Sequence, residues 1–180
     1  ADLIVGLLEI ALTAMLFVLL TPVNKTLAYV AAFARLIMVA VIAMTALFDI
    51  IPLVLLTQPT YSAAFDATQL NALVMLFVQL EHYGVAIWQV FFTVHLLALG
   101  YLVIRSGYWP RALGVMMMVG SFGYTFDSIE KITAISPNGM SIVTMLFLTI
   151  VTIAEISFCL WLLIKGMNTE AWKKINRAKA

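Results

Sequence analysis

Charge is what this chain has least of. Lys and Arg number ten and Asp and Glu nine in 180 residues, or 11% of the sequence, where soluble domains carry roughly 25%. Hydrophobic residue types fill 64%. That balance excludes a water-soluble globule, and so few charges also exclude a disordered tail. A net charge of +1 excludes a nucleic-acid binder, and a single cysteine excludes a disulfide-stapled secreted module. The chain also lacks a glycine-rich phosphate loop, a serine–histidine–acid pattern and a soluble catalytic domain. What remains is an all-α fold, a polytopic transmembrane helical bundle.

A hydrocarbon core of about 30 Å asks for about 20 apolar residues per helix, because lipid cannot satisfy open backbone groups. Five stretches meet that demand, over residues 3–20, 27–56, 84–104, 112–129 and 140–164. Thr21-Pro22-Val23-Asn24-Lys25 turns the chain after the first, and Pro52 is expected to kink or stop the second. The connector Thr57-Gln58-Pro59-Thr60-Tyr61 leads to Asp66 and Thr68, either of which can cap the next helix. Residues 70–104 would make a single helix of roughly 50 Å, too long for one span and too short for two. The polar run Gln79-Leu80-Glu81-His82-Tyr83-Gly84 near its middle suggests a split: an interfacial or half-inserted helix over 70–80, then a span from 84. The turns Arg105-Ser106-Gly107-Tyr108-Trp109-Pro110-Arg111 and Ser136-Pro137-Asn138-Gly139 separate the last spans.

Basic residues collect in cytoplasmic loops, so their distribution tests the count. With five crossings, Lys25, Arg105, Arg111, Lys165, Lys173, Lys174, Arg177 and Lys179 share one face, and Lys131 lies opposite. Two crossings within 70–104 would move Arg105 and Arg111 to the side opposite Lys25. The expected organisation is a single transmembrane domain over 1–166 and a basic juxtamembrane tail over 167–180 in a multi-pass protein of the cytoplasmic membrane, with its carboxyl terminus cytoplasmic. Tyr108, Trp109 and Trp172, beside the basic turns, are expected at headgroup level. The tail itself could lie as a short helix against anionic lipid or serve only as a positive anchor. Residue 1 is not methionine, and Glu9 within the first apolar run speaks against a signal peptide. A preceding helix is therefore expected, making six in all.

The turn at Thr21 to Lys25, the run Ser-Gly-Tyr-Trp-Pro-Arg-Ala-Leu-Gly at Ser106 to Gly114, Phe92-Thr93-Val94-His95, and Cys159-Leu160-Trp161-Leu162-Leu163-Ile164-Lys165-Gly166 together resemble the bacterial domain-of-unknown-function 4386 family. The likeness covers nearly the whole chain up to Gly166, and its specificity lies in the order of these turns. The resemblance implies a further amino-terminal helix and a following outer loop, and it implies no activity, cofactor or substrate.

An ionisable side chain inside a bilayer costs about 2.5–3.5 kcal/mol on insertion scales, so each should meet a partner or a wet cavity. Counted from the cytoplasmic helix ends, Arg35 lies about 12 Å deep, His95 and Glu155 about 15 Å, and Glu9 about 17 Å. Four helices each place one such residue in one layer. The structural reading pairs Arg35 with Glu155 or Glu9 and has His95 donate to a carboxylate or carbonyl. The functional reading is a proton or cation path, with two carboxylates sharing one arginine and His95 as relay. Structure is favoured.

A second set, Asp49, Glu81, His82, Asp127 and Glu130, lies toward the outer face. Asp127 and Glu130, three apart, share a helix side and with His82 could bind a divalent metal. Two histidines thirteen residues apart lie about 20 Å apart on one helix, against a shared metal or bis-histidine haem. Solvated charges, partly neutralised by Lys131, are the default. No lysine falls mid-membrane, against a retinal Schiff base, and Cys159 has no activating base nearby in sequence. Ala28 with Ala32, and Gly114, Gly120 and Gly123, mark places where helices can approach closely. Met116, Met117 and Met118 could line an adaptable pocket or simply fill the core.

Three functions survive. The favoured one is a non-catalytic accessory or interaction subunit, partnered by membrane lipids and by other membrane-protein subunits, without a cofactor. The alternatives are a small ion- or proton-coupled transporter using the buried layer, and an intramembrane metal-dependent enzyme. A wet cavity reaching the Glu9, Arg35, His95 and Glu155 layer would favour transport, and a dry closed layer an accessory subunit.

Overall fold

The structure is a computed structural model, described here over residues 2–133 and 140–177. The turn expected at Ser136 to Gly139, and Lys179 in the basic tail, lie outside the described residues. Among the described residues there are seven helices and no strand: α1 (Asp2–Leu20), α2 (Lys25–Thr57), α3 (Pro59–Ser62), α4 (Ala67–Ser106), α5 (Arg111–Thr133), α6 (Ile142–Ile164) and α7 (Thr169–Arg177). Three of these, α2, α4 and α6, are long and apolar enough to cross a membrane, and α1 contributes a shorter apolar stretch, Ile4–Leu20.

The helix starts follow from local chemistry. Asn24 caps α2 by accepting from the Leu27 amide at 3.0 Å. Asp66 caps α4 in a capping box, accepting from the Thr68 and Gln69 amides while Gln69 reaches back to the Asp66 amide. Ser141 does the same for α6 by accepting from Thr144. Gly107 ends α4 in the left-handed region at φ +67°, with no atom near enough to obstruct a Cβ. Gly107→Ala is therefore expected to lower stability by only about 1 kcal/mol, from backbone strain alone. A shift of more than a few degrees in the thermal midpoint in detergent would contradict this.

Of the two effects expected of Pro52, stopping the helix does not occur: α2 runs through it to Thr57, one residue past the end expected for that stretch. Loss of one backbone hydrogen bond is tolerable where a neighbouring helix supports the chain. Likewise the expected split of 70–104 is absent, because α4 is one helix of 40 residues, roughly 60 Å long. The reason is its partner. α2 and α4 pack antiparallel: His95 meets Ala31 and Arg35, Gly84 lies against the Thr45 side chain, and Phe77 meets Phe48 at 6.5 Å. Gln79, Glu81 and His82 interrupt the apolar run without interrupting the helix. Residues 70–80 are thus part of α4 and not a separate helix, and Phe77 among them packs on Phe48 of α2.

Successive long helices alternate in direction. Phe17 packs on Tyr29 between α1 and α2, Gly100 on Gly114 between α4 and α5, and Gly120 on Val151 between α5 and α6. The turns bearing Lys25, Arg105, Arg111 and Lys165 consequently gather at one end. The main core lies toward that end, where Leu16, Leu20, Leu102, Val103, Met117 and Phe158 are buried. Tyr108 and Trp109 belong to it: they are 2% and 4% exposed, and Trp109 meets Phe158 edge-on at 5.3 Å. α7 covers them. The Asn168 amide donates to the Tyr108 carbonyl at 3.1 Å, and Ala171, Trp172 and Ile175 pack against the core. The basic tail thus contains a helix whose apolar side faces the bundle.

Candidate functional site

The polar layer is assembled from α1, α2, α4 and α6, with α5 closing one side. Arg35 is its centre. Its Nε donates to Glu9 Oε2 across the α1–α2 contact, and its Nη1 donates to His95 Nε2 at 2.9 Å across the α2–α4 contact. A guanidinium can only donate, so His95 Nε2 must accept. His95 Nδ1 then carries the proton and donates it to the Ala31 carbonyl at 2.8 Å. The imidazole is neutral in this arrangement, with both nitrogens engaged. The Phe92 ring stacks on His95 at 5.7 Å and lies 6.0 Å from the Arg35 guanidinium carbon. Arg35 and His95 are buried, 7% and 2% exposed.

Of the two partners expected for Arg35, the geometry selects Glu9, and His95 donates to a carbonyl rather than a carboxylate. A second proton at Nε2 would set two cations face to face, which makes a clamp between helices of His95 and leaves it a poor relay.

Glu155 sits apart. Its Oε2 accepts a long hydrogen bond from Tyr124 at 3.4 Å, and its Oε1 is buried without a partner. Among the described residues it forms no ion pair. It faces a cavity of about 230 Å³ shared with Glu9 and Arg35, whose other walls include Phe92, Leu96, Leu99, Met117 and Phe158. Cys159, one turn on from Glu155, also lines it.

The outer set does not converge. Asp127 is buried at 3% exposure, accepting from Gln89 at 2.7 Å and pairing with Lys131 at 2.6 Å. Glu130 instead accepts from the Thr144 hydroxyl at 2.6 Å and the Ser141 amide at 3.1 Å, tying α5 to the start of α6. Glu81 and His82 lie 3.8 Å apart on α4, and Asp49 is exposed on α2. The shared helix side expected of Asp127 and Glu130 therefore serves two different neighbours. Among the described residues no three of His, Cys, Asp or Glu are grouped as a metal would need.

The model of a family described as "Domain of unknown function (DUF4386)" matches residues 1–166. The chain belongs to that family. This DUF4386 protein is similar to an uncharacterised protein of Archaeoglobus fulgidus, 26% identical over 160 residues, which make 89% of this chain and 78% of the relative. No solved structure matches it. Neither the DUF4386 family nor that relative brings an assigned activity to this chain.

The structure includes a second polar assembly which a search for charged residues overlooks. Between α4 and α5 the Thr93 hydroxyl donates to the Gln89 carbonyl at 3.0 Å and lies 3.2 Å from that of Ser121, and Thr125 donates to Thr93 at 3.1 Å. Ser128 donates to Gln89 Oε1 at 3.3 Å. The available signal was spacing: Gln89 and Thr93 lie four apart, as do Ser121 and Thr125, so each pair shares a helix face. Tyr124 was missed for the same reason, being the uncharged partner of a charged residue.

Proposed function

We propose that this chain is a small ion- or proton-coupled transporter of the cytoplasmic membrane, binding and releasing a proton at Glu155. In this reading five helices cross the bilayer, residues 1–166 form the transmembrane domain, and the basic end, with the carboxyl terminus, is cytoplasmic. Membrane lipids and other membrane-protein subunits remain its expected partners.

The observation that carries the reading is the inequality of the two buried carboxylates. Glu9 is neutralised by Arg35, whereas Glu155 opens on a cavity with one oxygen unpartnered. An unpaired carboxylate in a low-dielectric interior is tolerable only when it holds a proton or a cation. A dry, closed layer would suit the accessory-subunit reading better, and the cavity is the reason for putting transport first.

Purified protein reconstituted in liposomes, under an imposed gradient, is expected to take up protons. Glu155→Gln should reduce the rate roughly tenfold or more by removing the exchangeable site. His95→Gln should leave most of the rate intact, because the neutral imidazole serves as a hydrogen-bonding strut. Equal uptake by wild type and Glu155→Gln would end the proposal.

A further inference from the structure

We infer that the cavity beside Glu155 is a binding site for a small organic monocation, an ammonium group with apolar substituents, that exchanges with the Glu155 proton. The inference rests on Glu155 as the exchangeable acid, and it adds the class of ligand.

Charge gives the first constraint. The titratable or charged groups that share the cavity with Glu155 or bond to it are Glu9 from α1, Arg35 from α2, Tyr124 from α5 and Cys159 from its own helix, and His95 of α4 is bonded to Arg35. Glu9 and Arg35 cancel, and His95 is held neutral by accepting from Arg35 and donating to Ala31. With Tyr124 and Cys159 uncharged, ionised Glu155 leaves the cavity one negative charge in surplus. An anion would meet that surplus, and would find Arg35 already committed to Glu9 and His95.

The walls decide between kinds of cation. A hard metal ion such as Ca²⁺ takes 6–8 oxygen ligands, and Mg²⁺ demands a nearly ideal octahedron. Here one carboxylate is spoken for, and the remaining surface is aliphatic, aromatic or sulfur-bearing: Phe92, Leu96, Leu99, Met117, Phe158 and Cys159. Apolar walls with two aromatic rings suit an ammonium carrying alkyl or aryl groups, whose charge rests against Glu155 while its substituents replace water. Size narrows the class. At about 230 Å³ the cavity falls below the roughly 300–1,000 Å³ of drug-sized pockets, which favours a compact cation over an extended one.

One carboxylate cannot hold a proton and pair with an ammonium together. Binding of the cation and of the proton are therefore competitive, and cation affinity falls as the pH falls.

The test uses the full chain in detergent and radiolabelled benzyltrimethylammonium, with its neutral isostere neopentylbenzene as competitor. The expected result is saturable binding that strengthens as the pH rises and is not displaced by the hydrocarbon. Glu155→Gln should weaken it roughly tenfold or more, while Glu155→Asp, which keeps the carboxylate, should stay within severalfold. Absence of saturable binding in the wild type, binding indifferent to pH, or displacement by neopentylbenzene as effective as by the cation would overturn the inference. These wild-type arms decide even where the glutamine variant fails to fold. Proton uptake without cation binding would remove the ligand class and leave the transport reading standing. Competitive cation binding without proton uptake would do the reverse.

Discussion

Arg35→Ala is expected to be among the most damaging single substitutions in this protein, lowering stability by roughly 3–5 kcal/mol. Removing the guanidinium strands the Glu9 carboxylate, whose side chain is only 23% exposed, and leaves His95 Nε2 without the donor it faces at 2.9 Å. Three helices lose their common tie at once. Charge reversal of the logic gives the control: in Glu9→Gln/Arg35→Gln neither side chain is ionised, so the double variant should be considerably more stable than Arg35→Ala alone. Arg35→Lys should fall between, because an ammonium on a flexible stem cannot reproduce a fork aimed at two partners. Thermal midpoints from fluorescence-detected size exclusion would rank the variants. If Arg35→Ala melted within a degree or two of the wild type, the polar layer would not be what fixes α1, α2 and α4 together.

The same residue shows how far sequence alone reaches. An arginine within an apolar run has to find an acid, and depth counted along each helix placed Glu9, His95 and Glu155 within reach. Depth does not give azimuth. Which acid faces Arg35 depends on how α1 and α6 are rotated about their axes, and that comes from packing. The capping of α4 by Asp66 and the turn at Asn24 were legible because caps are local. The continuity of α4 was not, because the length rule for a single span assumes an isolated helix, whereas α2 accompanies α4 past Thr45 and Phe48. The burial of Tyr108 and Trp109 under α7 was not legible, because it depends on a contact made across more than fifty residues. The Glu155 cavity is a space among five helices, and nothing in a linear pattern encodes a space.

The close approach of α5 to its neighbours sets up a contest of signs that decides how these helices associate. Gly→Ala within a helix ordinarily stabilises by about 0.8–1.0 kcal/mol through backbone propensity. At Gly6 on α1, an added methyl would meet only the Val39 side chain at 3.6 Å, an ordinary contact, and Gly6→Ala should be neutral or raise stability by up to about 1 kcal/mol. Gly120 presents the opposite case. A Cβ there would lie 2.5 Å from the Val151 backbone nitrogen and 2.7 Å from its Cα, atoms that cannot rotate aside. Gly120→Ala should therefore force α6 away and lower stability by about 3 kcal/mol, overpacking outweighing propensity. Gly120→Val should leave little folded protein. The displacement also has a functional consequence, because Glu155 lies one turn beyond Val151: moving α6 would part Glu155 from Tyr124 and open the cavity wall. Gly120→Ala is accordingly expected to impair proton uptake even in whatever fraction remains folded, and Gly6→Ala to preserve it. Paired thermal melts and liposome assays on the two alanine variants measure both effects. Similar midpoints for the two would mean that small residues on α5 are incidental, and that the helices are held at their present distance by something other than backbone contact.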